Sequence, residues 1–194
     1  MQTGIVERIG LRVHDLRSAD GLSLDALARS SGVSRSMISL IERGESSPTA
    51  VVLEKLAFAL GVTLAGLFEP APRGAGAPDP VARRADQPEW RDPDSGYVRR
   101  NVSPPGAPMF QIVEVSFPAG RRVAFEVGAR GSRVHQQVWV LEGAIDVTVG
   151  NKRHGLKSGD CLTMPLDRPT VFHNPTRKAA RYAVVIATET ASRR

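Results

Sequence analysis

The sequence SLDALARSSGVSRSMISLIER, residues 23–43, decides the fold of the first third of the chain. Apolar residues recur in its first half at helical spacing: Leu24, Leu27 and Ala28. Ser23 can cap this helix at its N-terminus, and Asp25 adds the negative charge that a first helical turn favours. Gly32 can end the helix, because glycine readily takes the left-handed conformation found at helix C-termini. These residues predict a short helix followed by a tight turn.

A second helix is expected directly after the turn, with Ser34 as its N-cap. Its buried face would comprise Met37 or Ile38 together with Ile41. The residues left on its exposed side are polar or basic: Ser34, Arg35, Ser36, Ser39 and Arg43. Such side chains hydrogen-bond base edges and phosphates when a helix enters the major groove of DNA, whose width admits one helix. We therefore predict a DNA-binding site made of these five residues and Ser23.

The sequence motif of this region resembles that of the helix-turn-helix domain of the phage-repressor (Cro/C1, XRE) family. That family's pattern is roughly L-x-x-L-A-x-x-x-G-V-S-x-x-x-I-S-x-I-E-R-G-x-x-x-P-T. The residues that match it in register are Leu24, Leu27, Ala28, Gly32, Val33, Ser34, Ile38, Ser39, Ile41, Glu42, Arg43, Gly44, Pro48 and Thr49. The resemblance implies a small all-α domain that binds operator DNA. The alternative, a helical hairpin that only packs against another surface, is disfavoured by the number of matches.

The flanking sequence predicts three further helices, which gives an all-α five-helix domain in residues 1–69. Their apolar residues have helical spacing: Ile5, Ile9, Val13 and Leu16; Leu53, Leu56, Ala57 and Leu60; and Leu64, Leu67 and Phe68. Thr49 can cap the second of these helices, and Gly61 can end it. Arg12 and Arg17 lie off the apolar stripe of the first helix, where they would contact either phosphates or solvent.

Composition limits the classes of protein that this chain of 194 residues can belong to. No apolar run approaches the roughly 20 residues needed to span a bilayer, and the N-terminus lacks the basic and apolar segments of an export signal. The presence of a single cysteine, Cys161, excludes an internal disulfide and a cysteine-built zinc site. Because Cys161 lies within a predicted strand, we expect it to be a buried small residue. We expect a cytoplasmic protein with no membrane partner.

The net charge of +6 gives only loose support for nucleic-acid binding, because of where the charges lie. Residues 104–194 hold 13 Lys and Arg against 7 Asp and Glu, whereas residues 1–69 hold 7 against 8. The prediction of DNA binding therefore depends on the helix-turn-helix motif and on the placement of individual arginines.

Residues 70–88 have the composition of a linker, rich in Pro, Gly and Ala, and six prolines lie between Pro70 and Pro93. Such a segment cannot continue a helix or bury an apolar face. We expect it to join the domain of residues 1–69 to a second domain, residues 89–188, and to let the two move independently. Residues 189–194 would form a basic tail.

Beyond the linker the hydrophobic period changes from helical to two, which is typical of β-strands. Turn signals separate seven expected strands, at residues 110–117, 122–127, 134–141, 144–149, 161–164, 170–172 and 181–187. Gly150 and Asn151 would form a tight hairpin. Short strands with little helix between them predict an all-β barrel or sandwich.

This half resembles a cupin, a small double-sheet jelly roll, over about residues 105–187. Residues 139–143, WVLEG, followed by the alternating residues 144–149 resemble the first cupin motif. The residues that match the second motif are Gly159, Asp160, Pro165 and Asn174. A repressor-type helix-turn-helix domain joined to a cupin resembles bacterial transcription regulators, and this implies that the cupin senses a ligand or holds a dimer.

Many cupins bind a divalent metal through two His and a Glu of the first motif and one His of the second. Alignment on the motif glycines places the glutamate position at Gln136, the paired histidines near Arg130 and Ser132, and the last histidine at Thr170. None of these residue types is a good ligand for Fe, Mn, Ni or Zn. A shifted site with His135 and His173 is an alternative, although strand alternation turns both away from those positions. We expect no metal and no other cofactor.

The predicted effector site consists of residues near the mouth of the barrel: Arg130, Arg133, His135, Gln137, Trp139 and His173. Arginine offers a bidentate fork for a carboxylate or phosphate, and Trp139 offers a flat stacking surface. The ligand would be a small anion or zwitterion. The alternative for His135 and His173 is a structural role, as hydrogen-bonded residues at the rim.

Two functions remain after the sequence is considered. The first is a sequence-specific DNA-binding transcriptional regulator, acting as a homodimer, whose cupin senses a small-molecule effector, dimerises the chain, or both. The second is a metal-dependent cupin isomerase or oxygenase that carries a DNA-binding module. The missing His and Glu ligands favour the first, in which no residue is catalytic. A separate alternative is that the N-terminal helices bind another protein.

Overall fold

A computed structural model describes residues 4–69, 79–106, 110–126, 134–165 and 167–188. The predicted tail and part of the predicted linker, residues 70–78, lie outside these ranges. The α-helices within them are α1, Ile5–Ala19; α2, Leu24–Ser31; α3, Arg35–Glu42; and α4, Ala50–Ala59. Two 3₁₀ helices span Leu64–Phe68 and Arg84–Asp86.

The caps predicted for the helical hairpin are present. The Ser23 hydroxyl accepts a hydrogen bond from the backbone N–H of Ala26, and the Ser34 hydroxyl accepts one from Met37. Gly32 ends α2 in the left-handed conformation, with φ of 68°. A residue with a side chain is strained at this φ, so the glycine fixes the turn between α2 and α3.

The expected count of five helices is corrected by the segment Leu64–Phe68, which is a 3₁₀ helix and not an α-helix. The Thr63 hydroxyl caps it by accepting a hydrogen bond from the backbone N–H of Gly66 at 3.1 Å. The segment has five residues before Pro70, which leaves no room for the second turn that an α-helix would need.

The second half is built from ten strands: β1, Glu89–Arg91; β2, Val98–Asn101; β3, Phe110–Phe117; β4, Arg122–Phe125; β5, Val134–Glu142; β6, Ala144–Val149; β7, Lys152–Lys157; β8, Cys161–Pro165; β9, Thr170–His173; and β10, Ala180–Thr188. They form two antiparallel sheets, one of six strands in the order β1-β2-β3-β10-β5-β8 and one of four in the order β4-β9-β6-β7. Two facing antiparallel sheets are the arrangement of a cupin-like jelly roll.

All seven expected strands are present, and so is the tight hairpin, in which Val149 pairs with Lys152 across Gly150 and Asn151. Three strands were not predicted: β1, β2 and β7. Strand β7 is polar and largely exposed at an edge, so it lacks the apolar alternation on which the prediction depends. Strands β1 and β2 are only three and four residues long.

The two halves pack against each other through a row of aromatic rings. Phe68 of the helical half meets Trp90 of β1 edge-to-face, with ring centroids 5.7 Å apart, and Trp90 meets Tyr97 at 5.8 Å. The buried residues of both halves form one continuous core. This differs from the independent movement expected from the linker composition, because the docking surfaces are apolar. No helix among the described residues is long and apolar enough to cross a membrane.

Candidate DNA-binding surface and junction cavity

Helix α3 is fixed in the helical half by its apolar face. Ile38 and Ile41 are both 0% exposed, which confirms the buried face predicted from spacing and selects Ile38 over Met37. Helix α1 crosses close behind it at Gly10, where an added Cβ would lie 2.2 Å from the Ile41 carbonyl oxygen. Only glycine permits this approach, so α1 packs directly against the end of α3 and the other face of α3 points outward.

Five of the six residues predicted to bind DNA are exposed on the helical hairpin, and the sixth, Ser39, is half-buried. Ser34, Arg35 and Ser36 are exposed at the start of α3, and Arg43 is exposed at its end. Ser23 is exposed at the start of α2. Because Ser23 uses its oxygen to accept a cap hydrogen bond, its hydroxyl hydrogen stays available for a phosphate oxygen, whereas the Ser34 hydroxyl also lies 3.3 Å from that of Ser36.

The two arginines of this surface have different partners. The Nε of Arg35 lies 3.4 Å from the Asp25 carboxylate, and both side chains are well exposed. A surface pair of this kind contributes little stability and is readily exchanged for a new partner. Arg43 instead makes two hydrogen bonds of 2.8 Å to Glu45 and donates to the Ser39 hydroxyl at 2.5 Å. The hydrogen bonds between Arg43 and Glu45 raise the pKa of Arg43 and lower that of Glu45.

Arg17 is not available for phosphates, contrary to one of the two roles considered for it. Its guanidinium donates to both carboxylate oxygens of Glu42, at 2.6 and 2.8 Å, and to the carbonyl of Leu22 at 2.8 Å. The pair is mostly buried and ties α1 to the end of α3. Arg12 donates to the carbonyl of Gly66 at 3.3 Å. Both arginines therefore help to fix the helices.

A cavity of about 100 Å³ lies where α4 meets the inside of the jelly roll. The helical half contributes Glu54, Ala57, Phe58, Val62, Thr63 and Leu64 to its wall. The sheets contribute mainly apolar residues: Val115, Phe117, Val123, Phe125, Met164, Phe172, Val184 and Ile186. One water needs on the order of 10–15 Å³ in such a cavity, so there is room for a small molecule. We call this space the junction cavity.

A few polar side chains line the junction cavity among these apolar residues: Glu54, Tyr97, Arg99, Gln136, Arg168, Thr170 and Tyr182. Burial raises the pKa of Glu54 to about 8, and the nearby carboxylate of Glu126 acts in the same direction. Burial also raises the pKa of Tyr97 and Tyr182, so both phenols are neutral at physiological pH. It lowers the pKa of Arg99. The cavity is thus an apolar site with a small number of fixed polar groups.

The structure places most of the predicted effector residues outside this cavity. His135, Gln137 and Trp139 alternate with the inward-facing residues of β5, so all three are exposed on the outer face of the six-stranded sheet. His173 is half-buried on the four-stranded sheet, with its Nδ1 3.7 Å from the Asp146 carboxylate. The remaining two, Arg130 and Arg133, lie outside the described residues. A ligand site of these six residues stays a prediction, but it cannot be the junction cavity.

The cavity residues do not fit the metal that many cupins bind. The positions aligned with a metal-binding Glu and His are Gln136 and Thr170, and both do face the cavity, as the alignment indicates. Their amide and hydroxyl groups are poor ligands for the metals in question. The alternative pair, His135 and His173, lies on the outer faces of two different sheets, so one ion cannot bind both. Among the described residues no group of three His, Cys, Asp or Glu side chains converges.

Sequence reasoning missed the polar groups of the cavity and misplaced Cys161. Arg99 and Tyr97 lie on or beside β2, which was not predicted, and Glu54 belongs to a helix assigned to the other domain. Cys161 was expected to be buried, but it is exposed. The reason is that β8 is an edge strand, where Cys161 pairs with Trp139 on the outer face.

Comparisons with known proteins agree with this geometry. The family model described as helix-turn-helix, HTH_3, matches residues 13–67. The chain is 26% identical over 171 residues to the HTH-type transcriptional regulator SutR of Escherichia coli (strain K12), covering 88% of this chain and 89% of SutR. It is also 26% identical over 172 residues to the HTH-type transcriptional regulator PuuR of the same strain, covering 89% and 90%.

Among solved structures, the chain is similar to the crystal structure of an HTH_3 family transcriptional regulator from Vibrio cholerae. The two align with a TM-score of 0.75 and 27% identity, covering 96% of this chain and 98% of that chain. The likeness therefore extends over both the helical half and the jelly roll. It confirms the resemblance that the motif of residues 23–43 indicated.

Proposed function

We propose that this chain, a transcriptional regulator with an XRE-type helix-turn-helix domain and a cupin-like domain, binds operator DNA as a homodimer. In this proposal α3 enters the major groove, and Ser34, Arg35, Ser36 and Ser39 read or contact the DNA. A small-molecule effector occupies the junction cavity and changes the affinity for the operator.

The observation that carries the effector proposal is that both halves contribute to the cavity wall. Glu54, Phe58 and Leu64 belong to the DNA-binding half, whereas Phe125 and Phe172 belong to the jelly roll. A ligand that fills this space contacts both halves, so it favours whichever docking arrangement it fits best. A small ligand can thereby act on the position of α3 without touching it.

A homodimer is favoured because one recognition helix reads too few base pairs for specificity. The outer face of the six-stranded sheet is the surface that we assign to the second copy. Phe110, Ile112 and Trp139 are 59%, 41% and 48% exposed, and cross-strand pairing places them on one face with Val185 between them. Exposed apolar side chains that share one face, here together with His135 and Gln137, favour a contact site, and a symmetric dimer buries the same surface of both copies.

Selection of bound sequences from a random DNA pool tests the main claim, with the full chain as the probe. We expect enrichment of a site with two half-sites whose centres lie about 34 Å apart, or 10–10.5 base pairs. Enrichment of no sequence would contradict operator recognition and favour a protein-interaction role for the helices. A cytoplasmic location belongs to the same proposal.

The proposal assigns no catalytic step to the jelly roll, because Gln136 and Thr170 replace the residues that would hold a metal. Metal analysis of the purified protein separates this from the cupin enzyme. Stoichiometric Fe, Mn, Ni or Zn would contradict it.

A further inference from the structure

Arg99 is a buried cation without an anionic partner among the described residues. Its side chain lines the junction cavity, it is 6% exposed, and its Nε and Nη2 atoms have no hydrogen-bond partner. Its guanidinium lies over the ring of Phe68, 5.2 Å from the ring centroid. Groups of this kind are costly to bury, because an arginine loses its hydration without gaining a counter-ion.

The other buried arginines show what a structural arginine looks like in this chain. Arg100, the next residue of β2, faces the opposite side and donates to Glu114 at 2.5 Å. Arg17 makes two hydrogen bonds to Glu42 and one to a backbone carbonyl. Arg99 has neither kind of partner. The difference indicates that its partner is a molecule that enters the cavity.

The acidic residue of the cavity does not supply that negative charge. Glu54 lines the same cavity, but its pKa of about 8 keeps the carboxyl mostly protonated at pH 7. The phenols of Tyr97 and Tyr182 are neutral as well, because burial raises their pKa. The cavity therefore presents a net positive charge at the end where Arg99 lies.

We propose that the junction cavity binds a small carboxylic acid as its carboxylate, through a bidentate pair with the Arg99 guanidinium. The planar fork of arginine matches the two oxygens of a carboxylate. The apolar body of the acid lies against Phe125, Met164 and Phe172. This inference rests on the proposed function, since it names the chemical class of the effector.

The size and charge of the cavity limit the class of ligand that it can bind. A cavity of about 100 Å³ suits a molecule of on the order of five to ten non-hydrogen atoms, because one water needs about 10–15 Å³. Arg99 is the one cation of the described wall that is buried, because Arg168 is exposed and paired with Asp167. A single buried positive charge suits a monoanion, whereas a phosphate dianion would need a second.

The test uses the full chain and three matched series of compounds: the acids butyrate, hexanoate and benzoate; their amides; and butylamine, hexylamine and benzylamine. The melting temperature and the affinity for the selected operator are measured with each compound at saturating concentration, and inorganic phosphate is measured alongside. We expect at least one acid to raise the melting temperature by about 2 °C or more, because a ligand that binds only the folded state stabilises it. Amides, amines and phosphate should leave it unchanged.

The variants Arg99→Met and Arg99→Lys identify the residue, and Arg168→Met is the control at the cavity mouth. Arg99→Met should lose the response to the acid. Arg99→Lys should lower the affinity for the acid at least tenfold, and Arg168→Met should keep the affinity of the parent chain. Without ligand, Arg99→Met should melt no lower than the parent chain, because it removes a buried unpaired charge. If Arg99 had a structural role instead, Arg99→Met would lower the melting temperature.

The possible failures are distinct from one another. A response to amides or amines but not to acids overturns the proposal that the ligand is a carboxylate, and it leaves the proposal that an effector binds in the cavity. A response to phosphate alone, or an acid response that survives in Arg99→Met, overturns Arg99 as the anchor. No response to any compound overturns this inference, and operator selection decides separately whether the regulator function stands. A lower melting temperature of ligand-free Arg99→Met also counts against the inference.

Discussion

The carboxylate of Asp92, directly after β1, accepts a hydrogen bond of 2.9 Å from the backbone N–H of Ala50, the first residue of α4. Both groups are buried, and the second oxygen of Asp92 accepts hydrogen bonds from the backbone N–H and the hydroxyl of Ser95. A helix N-terminus favours a negative charge, so the jelly roll stabilises the helix that forms one wall of the junction cavity. The docking of the two halves is thus polar and specific as well as apolar.

Asp92→Ala should lower the free energy of unfolding by about 1–3 kcal/mol, because it leaves buried donors of both halves without an acceptor. Urea denaturation measures the change. Asp94→Ala is the matched control, since Asp94 is exposed in the same turn. An equal effect of the two substitutions would contradict the interdomain bond.

Glu54→Gln should change how stability depends on pH. The folded-state pKa of Glu54 is raised from 4.5 to about 8. Its favourable contribution is therefore fully present below pH 4.5 and is lost as the pH rises through 8, because the folded state must then ionise a buried carboxyl. Between pH 4.5 and 8 the free energy of unfolding of the parent chain should fall more steeply than that of Glu54→Gln. Chemical denaturation across this window checks the slope, and parallel slopes would contradict a buried, protonated Glu54.

The helix-turn-helix could be predicted from the sequence almost residue by residue, because its caps, its turn glycine and its buried stripe are all local signals. Ser23, Gly32, Ser34 and Ile41 have the structural roles that spacing predicted. The strands with apolar alternation were also predicted. The contact between the halves was not, since nothing local indicates that Asp92 caps a helix 42 positions earlier.

The candidate site shows the same limit for a different reason. Alternation along β5 correctly placed Gln136 inward and His135 outward. Residue type alone does not show which polar and aromatic side chains converge on one cavity, and the predicted effector residues His135, Gln137 and Trp139 lie outside the junction cavity. The unpaired state of Arg99 depends on the packing of β2 against Val115 and Phe68, and is visible only in three dimensions.

Trp139→Glu should convert the proposed dimer to a monomer, since a charge within its apolar face cannot be desolvated without a partner. Light scattering of the full chain measures the mass. Leu11→Glu is the control, because Leu11 is similarly exposed but lies on α1 of the helical half. The monomer should keep its fold and lose operator affinity by at least tenfold, because two tethered half-sites gain from their effective concentration. A Trp139→Glu chain that remains dimeric would place the interface elsewhere.

Arg35→Ala combined with Ser39→Ala should abolish specific operator binding while the fold is kept. Neither side chain contributes to the apolar face of Ile38 and Ile41, and each lost base contact should cost about 1–3 kcal/mol. Binding is measured on the selected operator and on random DNA, at two salt concentrations. The double variant should lose affinity on the operator far more than on random DNA.

Arg43→Ala is the matched comparison, because Arg43 lies at the far end of α3 and is held by Glu45. From that position it reaches the phosphate backbone rather than base edges. Its loss should therefore reduce the affinity for operator and for random DNA to a similar extent. The salt dependence should also become shallower by about one counterion. If the Arg35 and Ser39 double variant instead behaves like Arg43→Ala, α3 contacts only phosphates, and the bases are read by another part of the surface.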